Sequence, residues 1–290
     1  MKVKVYTLNS FSVSKGGGNP AGVVLAGDNL SEEQMKLIAQ KVGFSETAFV
    51  QKSNNADFKV RFFTPCEEID LCGHATIGAF YTLFATGRVA AGNYTQETKA
   101  GILNIEVRED KRILMNQTQP AFYEVINKEE IAASLNITLD DFCEELPAQI
   151  VSTGVKDIMV PVKSLEILRN ICPDFEKVTE VSKKYDVTGY HIFTLETIYN
   201  AAAHCRNLAP LYGIPEESAT GTSSGALGSY LFMHKKISSD EAVNMIFEQG
   251  YTMDRPSQIL VSLVVDDSKI REVRVGGSAS DLTEIEIEVN

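Results

Sequence analysis

The chain has 290 residues, 44% hydrophobic and 23% charged, so it can bury a sizeable core and has the composition of a globular protein. A formal net charge of −12 without any run of Lys and Arg argues against a nucleic-acid partner, and no apolar stretch approaches the length of a membrane span. Four scattered histidines and five cysteines without a C-x-x-C pair match no common metal pattern, which predicts no metal and reduced thiols in a cytoplasmic protein.

The start, "MKVKVYTLNSF", alternates as a strand over residues 2–7 and does not read as a leader. A glycine-rich turn, "SKGGGNPAG", leads to a strand in "VVLAG". Ser31 is placed to cap a helix over "SEEQMKLIAQKVG", whose apolar residues are 35, 37, 38 and 42. "ETAFVQ" and "FKVRFFTP" read as strands around the polar turn "KSNNAD", and after a loop Gly73 opens the apolar helix "HATIGAFYTLFATG". In the second half "YHIFTLE" and "IYNAAAHCRNLAP" read as strands, and Gly221 opens "TSSGALGSYLFMHK".

These halves resemble each other. "RFFTP" at 61–65 answers "RNLAP" at 206–210, and the two helix-opening glycines are 148 residues apart, about half the chain. Each half is expected to wrap strands around a central apolar helix, with a cleft where the two helix starts face each other. Glycine at a helix start lets backbone approach a ligand, and the unpaired N–H groups there favour an anion. The same glycines would equally serve helix–strand packing.

Several residues carry chemistry of this kind. Glu46 sits between Phe44 and Phe49 with Ser45 and Thr47 beside it: either a strand-edge glutamate facing water, or a partly buried acid–base group with its pKa raised toward neutrality. His74 either packs a cleft wall or hydrogen-bonds substrate and helps relay a proton. Asp70 and Glu217 are cleft acids or loop caps. Asn19 orients substrate or simply makes an Asn-Pro turn. Gly276 and Gly277 bring backbone close to a ligand or make a turn.

"GNPAGVVL", "FSETAFV", "RFFTPCEEIDLCGHAT", "GIPEESATGTSSGA" and "VRVGGSA" together resemble the PhzF-like family of phenazine-biosynthesis isomerases, in order and over nearly the whole chain. The resemblance implies an α+β, diaminopimelate-epimerase-like fold of two similar domains, each a β-roll around a central helix. The expected domains are 1–118, with strand 281–290 returning to it, and 119–280. It also implies an isomerase that uses no cofactor and has its site between the domains. The family's acid–base carboxylate falls on Glu46, and its glycine–histidine pair on Gly73 and His74. Its second motif falls on Glu217, Thr220, Gly221, Thr222 and Ser223, with Glu217 where aspartate is usual, Ser218 where proline is usual and Thr222 where serine is usual. Those departures put the phenazine substrate in question. Related racemases of the fold pair two cysteines; Cys72 matches the first, but the second falls on Thr220, which cannot serve as a base near neutrality. The expected partner is a small anionic substrate, and a homodimer is left open. The alternatives to a proton-moving isomerase are a one-base epimerase or racemase and a non-catalytic ligand-binding relative.

Overall fold

The computed structural model describes residues 1–267 and 269–289. The chain divides into two units, Met1–Asn116 with Gly276–Asn290, and Gln117–Val275.

In the first unit β1 (Lys2–Ser10) continues past the predicted strand, and β2 (Asn19–Val24) starts inside the predicted turn, at the asparagine itself. α1 (Glu32–Val42) has the expected Ser31 N-cap, with Gln34 completing a reciprocal capping box. β3 (Thr47–Gln51) and β4 (Phe58–Phe63) form the predicted hairpin. A short β5 (Glu68–Ile69) precedes α2 (Gly73–Ala85), after which β6 (Gly92–Thr98), β7 (Gly101–Val107) and β8 (Ile113–Asn116) run antiparallel. β2 pairs parallel with β3, and β4 parallel with β6. α1 packs Met35 and Ile38 onto Val5, Val24, Phe49 and Phe63. α2 lies against β1, β2, β3 and β8. It has almost no polar face, so strands must cover it on every side.

The second unit holds β9 (Ala121–Val125), α3 (Lys128–Leu135), β10 (Gln149–Ser152), β11 (Lys156–Pro161), α4 (Leu165–Asn170), α5 (Phe175–Tyr185), β12 (Gly189–Thr194) and β13 (Ala203–Ala209). β14 (Ile214–Glu217), α6 (Gly221–Met233), β15 (Met245–Gln249) and β16 (Ser257–Asp266) follow. β17 (Lys269–Gly277) spans the boundary between the units, and β18 (Ala279–Glu288) pairs antiparallel with β1 in the first. α3, α4 and α5 cover the outer face of β11 and β12 through Ile131, Leu135, Leu168 and Val178. The strand expected from Ile198 begins only at Ala203. The backbone N–H groups of Ile198 and Tyr199 instead donate to the buried Glu248 carboxylate, at 2.9 and 2.6 Å, which holds that stretch as a loop.

The two units share one plan. In the first, Phe49 lies opposite Val24 on one side and Arg61 on the other. In the second, Ile192 lies opposite Val160 and Arg206 in the same way. Arg61 clips Glu68 with two bonds of 2.7 Å, and Arg206 clips Glu216 with bonds of 2.9 and 2.8 Å. Each clip ties a long strand to the short one that feeds the central helix, and each is a bidentate, charge-assisted contact. The Arg61 guanidinium beside it holds the Glu68 carboxyl down to about 2 against the opposing effect of burial. Both central helices are 13 residues long, and neither has a side-chain cap at its start. Thr76 Oγ1 bonds Cys72 O at 2.8 Å in one, and Ser224 Oγ bonds Thr220 O at 2.8 Å in the other.

Two glycines should respond oppositely to alanine. At Gly189 a Cβ would sit 1.8 Å from the Leu208 carbonyl oxygen, whereas at Gly73 it would meet nothing within 4 Å. Chemical denaturation should show Gly189→Ala losing about 3 kcal/mol or failing to fold, and Gly73→Ala staying within about 1 kcal/mol of the parent.

Candidate active site

Glu46 immediately precedes β3, where its carbonyl accepts from Gly22 N–H at 3.1 Å and so anchors it to the parallel β2–β3 pair. His74 occupies the first turn of α2, and Ser10 Oγ fixes that turn by donating to the His74 carbonyl at 2.7 Å. These anchors bring the two side chains together: His74 Nε2 is 3.1 Å from Glu46 Oε2. Ser45 Oγ lies 3.5 Å from the same nitrogen, while Cys72 Sγ and Asn19 Nδ2 each lie 3.4 Å from Nδ1. His74 is buried, and the Glu46 side chain keeps 15% of its surface open. Glu46 Oε2 is itself buried against the His74 ring, so the open part of the side chain is not this oxygen.

The electrostatics reverse one sequence expectation. Burial pushes the Glu46 carboxyl up, but hydrogen bonding and charge from His74, with Ser45 and Cys72, bring it below the ordinary carboxylate value. Burial also opposes a charged His74, and its contacts with Cys72 and Glu46 overcome that, raising the ring well above its usual value. Burial raises the Cys72 thiol. Glu46, Cys72 and His74 also present three ligand atoms within 4.8 Å of one another, a set that suits zinc; their direct contacts account for the same proximity.

In the second unit Glu217 ends β14 and accepts from Thr220 Oγ1 at 2.7 Å. Gln249, which the sequence reading missed, donates to Thr220 Oγ1 at 3.0 Å and to the Glu217 carbonyl at 2.7 Å, and accepts from Thr220 N–H at 3.2 Å. The Thr220 hydroxyl is therefore committed within the unit. Gly221 and Thr222 open α6 partly exposed, and the Thr222 carbonyl accepts from Thr153 Oγ1 at 2.9 Å. Ser223, expected to offer its hydroxyl to a ligand, is buried and donates it to Asp157 Oδ2 at 2.5 Å. Gly276 has a packing reason, since a Cβ there would sit 1.9 Å from the Ile113 carbonyl oxygen. Gly277 is buried beside it. Asp70 is exposed, and Cys72 rather than Asp70 holds the N-cap position of α2.

Residues 8–284 match the phenazine biosynthesis-like protein family PhzC–PhzF. An uncharacterised isomerase of Bacillus subtilis (strain 168) is 38% identical over 269 residues, covering 90% of this chain and 91% of its own. A Bacillus anthracis phenazine biosynthesis protein of the PhzF family superposes with a TM-score of 0.90 at 35% identity, covering 100% of both chains. A hydroxyproline epimerase from Agrobacterium vitis shares the fold at a TM-score of 0.63 and 12% identity, covering 99% of this chain and 92% of its own. The fold is the diaminopimelate-epimerase-like one.

Two of the buried histidines, His74 and His191, should titrate in opposite senses. Nitrogen-15 spectra should place the His74 midpoint above the ordinary histidine value, whereas burial pushes His191 down to about 3, so it stays neutral throughout the range above pH 5. Glu46→Gln removes a charge that favours the imidazolium and should lower the His74 midpoint; an unmoved midpoint would break the assigned pairing.

Proposed function

Since the chain belongs to the phenazine biosynthesis-like PhzC–PhzF family, we propose that this isomerase moves a proton within a small carboxylate-bearing substrate, with Glu46 as the general acid–base group. The observation that supports the reading is the partly open Glu46 side chain, with Oε2 3.1 Å from a buried His74, beside a helix start without a side-chain cap.

Glu46 takes a proton from a carbon next to the substrate's carbonyl or carboxylate group. The electron pair left behind spreads onto that group's oxygen, where the N–H groups at Gly73 and His74 meet it. Protonated Glu46 then returns the proton to another carbon, so no co-reactant is consumed. The low resting pKa makes Glu46 a strong acid for the return step. A bound anion that displaces water beside it raises that pKa and strengthens the base for the first step. His74 orients the carboxylate and balances its charge. At the family's second motif, Glu217 and Thr222 are the polar groups proposed for ligand contact on the second unit. Open space at the missing Gly73 side chain leaves the first-turn backbone accessible. The five free thiols fit a reducing cytoplasm.

Hydrogen–deuterium exchange from D₂O into a panel of small cyclic and amino-acid-like carboxylates tests the reading. Glu46→Gln should cut exchange by at least about 10²-fold while ligand binding, read by thermal shift, persists. Near-parental exchange in that variant would remove Glu46 from the chemistry. Cys72→Ser and added chelator should each leave exchange within about tenfold, because an essential base or metal contributes far more.

A further inference from the structure

The second unit hides a polar cluster where the first has none. Asp157 on β11, His191 on β12, Asn207 on β13 and Ser223 in the first turn of α6 are all buried. The shared strand register gives each a counterpart in the first unit. Asp157 lies three residues before Val160 as Ala21 lies three before Val24; His191 faces Asn207 as Ala48 faces Phe62; Ser223 follows Gly221 as Ala75 follows Gly73. Ala21, Ala48, Phe62 and Ala75 are all fully buried. One plan therefore closes with an apolar quartet at these positions, and burying a polar quartet is the costlier solution. The fold alone does not ask for it.

Hydrogen-bond direction shows what the cluster does. The Asn207 amide has two N–H donors: Nδ2 lies 3.1 Å from Ser223 Oγ and 3.2 Å from His191 Nδ1. His191 Nδ1 is then an acceptor, and the neutral ring carries its proton on Nε2, which has no partner among the described residues. Ser223, already accepting from Asn207, donates to Asp157 Oδ2. Oδ2 is thus occupied as an acceptor, and any proton Asp157 takes goes to Oδ1, which is also unpartnered among the described residues. Glu217 faces Asn207 across the β13–β14 pair. Among the described residues, Glu217 is the titratable group whose charge acts on Asp157.

We propose that Asp157 is a positioning residue for Glu217 and the start of α6: it fixes Ser223 through Oδ2, takes up a proton at Oδ1, and thereby sets the charge that Glu217 meets. The proposal rests on the role given to Glu217 above and names the buried group that tunes it. Burial raises the Asp157 carboxyl, the Ser223 hydroxyl lowers it, the Glu217 charge raises it and the Gly189 backbone N–H lowers it, with the outcome at about 6. Its proton is therefore gained or lost near neutrality, when a charge change beside Glu217 has most effect.

Carbon-13 carboxyl NMR of the full chain tests this without a substrate. Asp157 should titrate near pH 6, and its midpoint should fall in Glu217→Gln. An ordinary Asp157 midpoint near 4, or a midpoint unmoved by Glu217→Gln, overturns the proposal whether or not Glu46 proves to be the base. The paired Asp157→Ala, Ser223→Ala variant, which copies the first unit's Ala21 and Ala75, should keep or raise the melting temperature at pH 7.5. For any panel compound the parent exchanges, that variant should move one limb of the exchange pH profile to lower pH. A lowered melting temperature with an unshifted profile would make the cluster merely structural and overturn its positioning role.

Discussion

A helix with no polar face has to be covered on all sides, and both units are organised by that requirement. α2 buries Ile77, Phe80 and Leu83, and α6 buries Leu227, Tyr230 and Leu231, with small residues between them that let strands come close. Covering such a helix uses up its flanks and leaves its N-terminus as the outlet. There the first N–H groups lack partners within the helix, and in both units no side chain caps them. The apolar core and the polar site are consequences of one constraint, the second being what the first cannot cover.

Within the first unit the chemistry depends on a balance between burial and pairing. Burial opposes charge on both Glu46 and His74; His74 chiefly brings the Glu46 carboxyl down, and contacts with Cys72, then Glu46, bring the His74 ring up. Such a pair is easily re-poised, because an anion or a lost water changes the terms on both partners at once. The Cys72 thiol, raised by burial, belongs to the same coupled cluster, being the first contact that raises the His74 ring.

Local patterns made much of this legible. Ser31 with Gln34, the alternation at the chain start, and the glycines that open two apolar helices are all short-range signals, and they gave α1, α2, α6 and the duplication. Nothing between α2 and β12 was assigned, so β6 to β11 with α3 to α5 went unread, although α5 is as clearly amphipathic as α1. Glu46 stood out as a charge in an apolar strand, yet its pKa direction depended on His74, 28 residues onward, a contact that spacing alone does not disclose. Asp157 in "KDIMVPV" and His191 in "GYHIFT" had the same local signature as Glu46 and could have been flagged by it. Their link to Asn207 and Ser223 crosses three strands and a helix, so the cluster itself required the fold.

The return of β18 to the first unit bears on how the protein is made. β1 pairs with β18 along its length, from Lys2 opposite Glu288 to Ser10 opposite Ala279, and Ser10 is the residue that anchors the His74 turn. During synthesis all of residues 117–275 leave the ribosome before that strand exists, so the second unit can fold while the first still lacks the partner of β1. Until then the nascent first unit carries an open strand edge, a site for mispairing. Vectorial synthesis thus makes the half with the Glu46–His74 pair the later one to close, although most of its residues are translated first.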